Sequence, residues 1–129
     1  MNVLLDSHAL IWSVDDPARL GTRAASILED PDNTPYVSMA SVWELGIKAA
    51  KGRLALSMPF GEWILKAIHQ MDIQLLPITL AHVSGIAGLP ARHSDPFDRM
   101  LAAQCLADGW PIVSADSVLD GYSITRLWD

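Results

Sequence analysis

The stretch "HSDPFDRMLAAQ" (93–104) holds two carboxylates three positions apart, Asp95 and Asp98, at what reads as a helix start. Ser94 or Asp95 suits the N-cap, Pro96 the first helical position, and Gly109 the residue just past the end. On a wheel with Phe97 at 0°, Leu101 falls at about 40°, Cys105 at 80°, Ala102 at 140° and Leu106 at 180°. Asp98 falls at about 100°, in the middle of that apolar arc. Arg99, Ala103 and Gln104 take the other side. Asp98 therefore points where the helix packs. Two readings fit: a capping-box-like pair with Asp95, favoured by the helix dipole, or an acid held inward for chemistry.

Two further acids stand at strand ends. Asp6 follows the apolar run "NVLL", and Asp116 lies just past "PIVSA". In a right-handed crossover the helix before the Asp116 strand starts at the carboxyl edge of the sheet, so Asp98 joins the same edge. Each acid alone reads equally well as a cap or loop residue. Together they are a cluster. Two unit charges about 4 Å apart repel by roughly 4 kcal/mol at an effective dielectric near 20. Without a cation, some of them should take up protons. Oxygen-only clusters suit Mg²⁺ or Mn²⁺, which can activate water and stabilise in-line displacement at phosphorus. Glu44 reads differently. With Val42 at 0°, Trp43, Leu45, Gly46, Ile47 and Ala49 fill the apolar arc, and Glu44 falls at about 200°, beside Lys48 and Lys51. Periodicity makes it an exposed i,i+4 partner of Lys48.

Other chemistries lack their residues. There is no G-x-x-x-x-G-K-[ST] or G-x-G-x-x-G. His8, His69, His82 and His93 show no zinc spacing, and there is no G-x-S-x-G elbow. Ser7 and His8 after Asp6 break the phosphatase pattern of two aspartates around the first strand. "GIAG" (85–88) reads as helix packing plus a C-cap.

The positioning elements follow from the pattern. A length of 129 residues suits a single domain over 1–129 with a real core. Half the residues are hydrophobic and 19% are charged, which excludes disorder. No apolar run reaches a membrane span, and "MNVLLD" has no signal-peptide pattern. The lone Cys105, on the apolar arc, is expected to be a core thiol in a reducing cytoplasm. A net charge of −6 argues against a surface that coats nucleic acid generally, but not against an acidic site acting on it. Strands are expected at 2–6, 36–39, 73–78, 111–115 and 123–128. Helices are expected from Ser7, from Pro17, at 22–30, 40–52 and 60–71, up to Gly88, and from Pro96. "DPDNTP" (30–35) and "GLPARHSDP" (88–96) are expected as loops. This alternation predicts an α/β fold with a parallel sheet covered on both faces and a site at the strands' carboxyl ends.

"LLDSHALIW", "SMASVWELGIKAAKGRL", "LPARHSDPFDRMLAAQCLADGWPIVSAD" and "ITRLWD" resemble, in matching order along the chain, the PIN-domain ribonucleases. Within them the nearest likeness is to VapC-type toxins of bacterial toxin–antitoxin pairs. "DPFDRMLAAQ" is the most specific piece. The resemblance implies a three-layer α/β/α PIN-like domain with a parallel sheet of four or five strands. It implies catalytic Asp6, Glu44, Asp98 and Asp116, with Mg²⁺ or Mn²⁺ on Asp6, Asp98 and Asp116 and Glu44 as a further ligand. Glu44 is nominated by resemblance alone. Ser7 and Ser114 stand where the family often has a hydroxyl beside the metal or phosphate. Asp95 reads as N-cap and outer support. Lys48, Arg92, His93 and Arg99 are candidates to touch phosphates, though each singly also reads as a solvated charge.

The implied activity is hydrolysis of RNA phosphodiesters that stops translation, in a cytoplasmic homodimer with a cognate antitoxin. Two alternatives stay open: a metal-dependent phosphatase or phosphotransfer domain, and a catalytically silent interaction module. Residues 54–71 add partner support. Leu54, Leu56, Met58, Phe60, Trp63, Ile64, Ala67, Ile68 and Met71 make a wide apolar run, mostly core, with Trp63 expected at its edge on an exposed groove.

Overall fold

The computed structural model describes residues 1–91 and 94–129. Strand β1 (Asn2–Leu5) leads into helix α1 (Ser7–Asp15), then a 3₁₀ turn (Pro17–Arg19) and α2 (Thr22–Glu29). Next come β2 (Thr34–Ser38), α3 (Met39–Ala50), α4 (Phe60–Met71), β3 (Gln74–Leu76) and α5 (Leu80–Ile86). The chain closes with α6 (Pro96–Asp108), β4 (Ile112–Val113), a second 3₁₀ turn (Ser117–Tyr122) and β5 (Arg126–Leu127). The expected elements are present, with β3, β4 and β5 three or four residues shorter than expected and β2 starting at Thr34, two residues inside the expected loop 30–35. Met39, expected to end β2, instead opens α3, because Ser38 caps that helix by accepting from the Ala40 N–H at 3.0 Å.

The five strands form one parallel sheet in the order β3-β2-β1-β4-β5. Successive side chains of β1 point to opposite faces, and both faces are covered, so its apolar run is continuous. Val3 and Leu5 join Val37, Val113 and Leu127 in a core with Ala9, Leu10, Leu45 and Trp63 of the helices on one side. Leu4 joins Ile112 and Leu76 in a second core with Leu101, Ala102 and Cys105 of α6, closed by Leu119 and Tyr122. That is the three-layer arrangement.

Three expectations about helix faces are corrected. Ala103 and Gln104, expected on the solvent side of α6, are buried, and Leu106 is exposed. The cause is α5, which lies on α6's supposed outer face, with Gly85 opposite Ala103 and buried His82 opposite Gln104. Trp63 is not at a groove: it is 0% exposed, and its Nε1–H donates to Asp15 Oδ1 at 3.0 Å. On α3, Trp43 is the exposed residue and Glu44 turns inward.

Gly52 and Gly109 end their helices at φ +67° and +70°, the left-handed region glycine enters without strain. No helix among the described residues is long and apolar enough to cross a membrane.

Candidate active site

The strand order reverses direction at β1: the chain moves from β1 to β2 and β3 on one side, then returns to β4 and β5 on the other. In open parallel sheets the crevice beyond the strands' carboxyl ends at such a point is where ligands bind. Asp6 and Ser114 are the residues that stand there.

The register pairs Leu5 with Val113, so Asp6 and Ser114 leave the sheet side by side. The Asp6 N–H donates to the Val113 carbonyl at 3.2 Å, completing the ladder. The Asp6 carboxylate then serves two neighbours. Oδ1 accepts from the Ala9 N–H at 2.8 Å and caps α1; Oδ2 accepts from Ser114 Oγ at 2.5 Å. Asp6 is 7% exposed. Burial pushes its carboxyl above the ordinary aspartate range, more than the Ser114 and Ala9 hydrogen bonds and nearby His8 pull it down. The negative charge of Asp116 pushes the same way as burial. The site thus holds an acid that resists ionising until a positive charge arrives.

Ser7 continues the chain of contacts. Its Oγ donates to Glu44 Oε1 at 2.5 Å, while Glu44 Oε2 pairs with Lys48 Nζ at 3.2 Å. The i,i+4 pair exists as periodicity predicts, but the Glu44 side chain is only 12% exposed and faces the site. Ser114 Oγ also accepts from the Asp116 N–H at 3.0 Å. Asp116 itself is exposed, and its Oδ1 caps the following 3₁₀ turn by accepting from the Val118 N–H at 3.0 Å.

At the far wall, Asp95 is the N-cap of α6. Its Oδ1 accepts from the Phe97 N–H at 2.8 Å and the Asp98 N–H at 3.3 Å. Asp98 sits half-buried in the first turn, next to Phe97, which lines a cleft of about 630 Å³ together with Glu44, Lys48 and His8. The four acids therefore share the carboxyl edge. They do not form a closed ligand group: among the described residues, no three carboxylate, histidine or cysteine side chains are placed to hold an ion. Asp6 is held by Ser114 and Ala9, Glu44 by Ser7 and Lys48, and Asp116 by its turn. What fits Mg²⁺ or Mn²⁺ is the donor chemistry, all carboxylate and hydroxyl oxygen with no thiolate, around a buried acid in need of a counter-charge.

The phosphate candidates divide. Lys48 lines the cleft. Arg99 instead donates to the backbone carbonyls of Pro90 at 2.8 Å and Ile86 at 3.5 Å, bracing the α5–α6 connection. Arg92 and His93 lie outside the described residues. Lys51 and Arg53, not among the residues expected to touch phosphate, line the same cleft. The signal was present, since three of the chain's nine Lys and Arg fall between positions 48 and 53.

Comparison with known proteins gives consistent results. The model of the PIN domain matches residues 3–124. Ribonuclease VapC22 of Mycobacterium tuberculosis is 30% identical over 125 residues, which are 96% of this chain and 94% of that protein. The crystal structure of VapBC2 from Rickettsia felis, bound to a DNA fragment from its promoter, superposes with a TM-score of 0.75 at 14% identity over the whole of both chains. VapBC-1 of nontypeable Haemophilus influenzae superposes at 0.67 with 13% identity, over 98% of this chain and 96% of that one. At those identities the two structures establish a shared fold.

Proposed function

The chain belongs to the PIN domain family, and from that premise we propose that it is a Mg²⁺- or Mn²⁺-dependent endoribonuclease, the toxin of a toxin–antitoxin pair. The observation that carries this reading is the buried Asp6 at the switch point, held by Ser114 and pressed by Asp116. Its relative VapC22 is named a ribonuclease. The active unit is a single PIN-like domain spanning 1–129, working in the cytoplasm as a homodimer.

Asp6, Asp98 and Asp116 would hold the ion, with Glu44 as a further ligand. Bound there, the ion would supply charge neutralisation at the phosphodiester and an activated water, leaving a 5′-phosphate and a 3′-hydroxyl. The chain's own groups prepare the site. Ser114 and Ser7 donate to Asp6 and Glu44 and hold one oxygen of each carboxylate in place. Lys48 offsets the charge of Glu44 and limits repulsion along the edge. Asp95 fixes the first turn of α6 and with it the position of Asp98.

The partner is an antitoxin that places an Arg or Lys in the acidic site, where it would meet the charge a metal otherwise meets. One structural neighbour, VapBC-5 of Mycobacterium tuberculosis, is by name a member of the VapBC family of toxin–antitoxin systems. Trp63 is no part of that contact, since it is wholly inside.

The experiment is cleavage by metal-stripped protein of a looped RNA and, in parallel, of a small phosphomonoester. RNA should be cut with Mg²⁺ or Mn²⁺ and left intact with EDTA. Equal cutting in EDTA would remove the metal mechanism. Turnover of the monoester alone would favour a phosphatase.

A further inference from the structure

Trp43 is 64% exposed, while the other four tryptophans are half-buried or buried. It precedes Glu44 on α3, and its ring meets Phe97 edge to face, 5.3 Å between centroids at 78°. Phe97 precedes Asp98 on α6 and lines the cleft. The aromatic pair thus bridges the two helices that bring Glu44 and Asp98 to the site. Lys51 and Arg53 line the same cleft beyond Lys48, and both are exposed. Among the described residues no carboxylate forms an ion pair with either. In a chain of net charge −6, these two cations stand in the cleft beyond the Glu44–Lys48 pair and the Asp95 cap.

An open aromatic face beside a track of cations is how proteins hold single-stranded nucleic acid: bases stack on the ring while the backbone follows the charge. A paired strand offers no such contact, because its base faces are already stacked within the helix. We infer that Trp43, backed by Phe97, is the stacking platform for an unpaired base beside the scissile phosphodiester, with Lys51 and Arg53 holding neighbouring phosphates of the same strand. This rests on the ribonuclease reading and deepens it. Phe97 fixes the indole in place, so little side-chain freedom is lost on stacking. The carboxylates repel the strand, and the cations offset that repulsion one step away from the reacting phosphate.

The test separates binding from chemistry. Tryptophan emission is followed in EDTA as a short single-stranded RNA is added, alongside the same sequence as a duplex and as an abasic strand. The single strand should quench emission and bind best. Trp43→Ala should remove the quench and weaken binding about tenfold. Trp43→Phe should remove the quench but keep affinity within about threefold. Lys51→Ala and Arg53→Ala should each reduce the slope of log affinity against log salt by about 0.7. With Mg²⁺, Trp43→Ala should lower kcat/KM mainly through KM, because stacking is shared by ground and transition states. Binding of the abasic strand as tight as that of the intact strand would overturn the proposal. So would unchanged affinity in Trp43→Ala, or a Trp43→Ala defect confined to binding a protein partner. Stacking without any cleavage by the wild type would instead sink the ribonuclease reading alone.

Discussion

Asp6 shows how a single residue was legible and what its burial entails. It ends an apolar strand run, and a carboxylate there must cap the next helix or face the edge; it does both. Its raised carboxyl sets a pH dependence. Between the unfolded value of 3.8 and the higher folded one, the native chain binds more protons than the unfolded chain. The favourable contribution is complete below that window and is lost as pH rises through the folded value. Asp6's own share of the stability of metal-free protein should therefore decline across the window, beside the opposite contributions of Asp15 and Asp120, whose carboxyls are held below the usual range by their hydrogen bonds. Asp6→Asn, which keeps an N-cap, should lack that part of the decline. Identical pH slopes for the two proteins in EDTA would mean that Asp6 does not carry the buried charge. Glu44 was not legible from periodicity. A wheel weighs hydrophobicity alone, and Glu44 turns inward because Ser7 and Lys48 satisfy both of its oxygens. Trp43 took the outward position, with its ring against Phe97 of α6.

At the scale of elements, α4 was read to its last residue, since its apolar stripe faces one core. Helix α6 was misread on one side because α5 adds a layer that a single-helix wheel cannot anticipate. The same limit misplaced Trp63, whose fate depends on α1: Asp15 at that helix's end receives the indole N–H. Trp63→Ala should cost about 3–5 kcal/mol, the usual range for emptying an aromatic core site. Leu65→Ala, two positions away and 69% exposed, should change stability by less than about 0.5 kcal/mol. Urea unfolding of both variants checks the contrast. Comparable losses would mean that α4 packs by a different face. The strand order was not legible either, because alternating elements predict a parallel sheet without saying where β4 inserts; its place beside β1 is what joins Asp6 to Ser114.

The whole molecule carries a net charge of −6, yet Lys48, Lys51 and Arg53 line the cleft beside Glu44 and Asp95. That arrangement suits an anionic strand that must approach an acidic site past fixed cations. The placing of Asp6, Asp116 and the start of α6 at one edge was visible in the sequence because right-handed crossovers place helix starts at strand ends. How tightly the acids meet was not, because it depends on partners such as the Ser114 hydroxyl and the Ala9 backbone N–H that spacing does not reveal. The account turns on Asp98, three residues past Asp95 and in the same turn. Asn caps a helix about as well as Asp, so Asp95→Asn should keep both the fold and most of the RNA cleavage. Asp98→Asn should lose cleavage by about a hundredfold or more, the scale of removing one group that stabilises charge in the transition state. In EDTA it should keep its fold, because Asn serves the first turn of a helix about as well as Asp. The decisive measurement pairs RNA cleavage in Mg²⁺ with melts in EDTA for these two variants. Loss of activity at unchanged metal-free stability, in Asp98→Asn only, is the predicted result. Wild-type cleavage by Asp98→Asn, or a metal-free melt several degrees lower, would make Asp98 a capping residue and contradict the site.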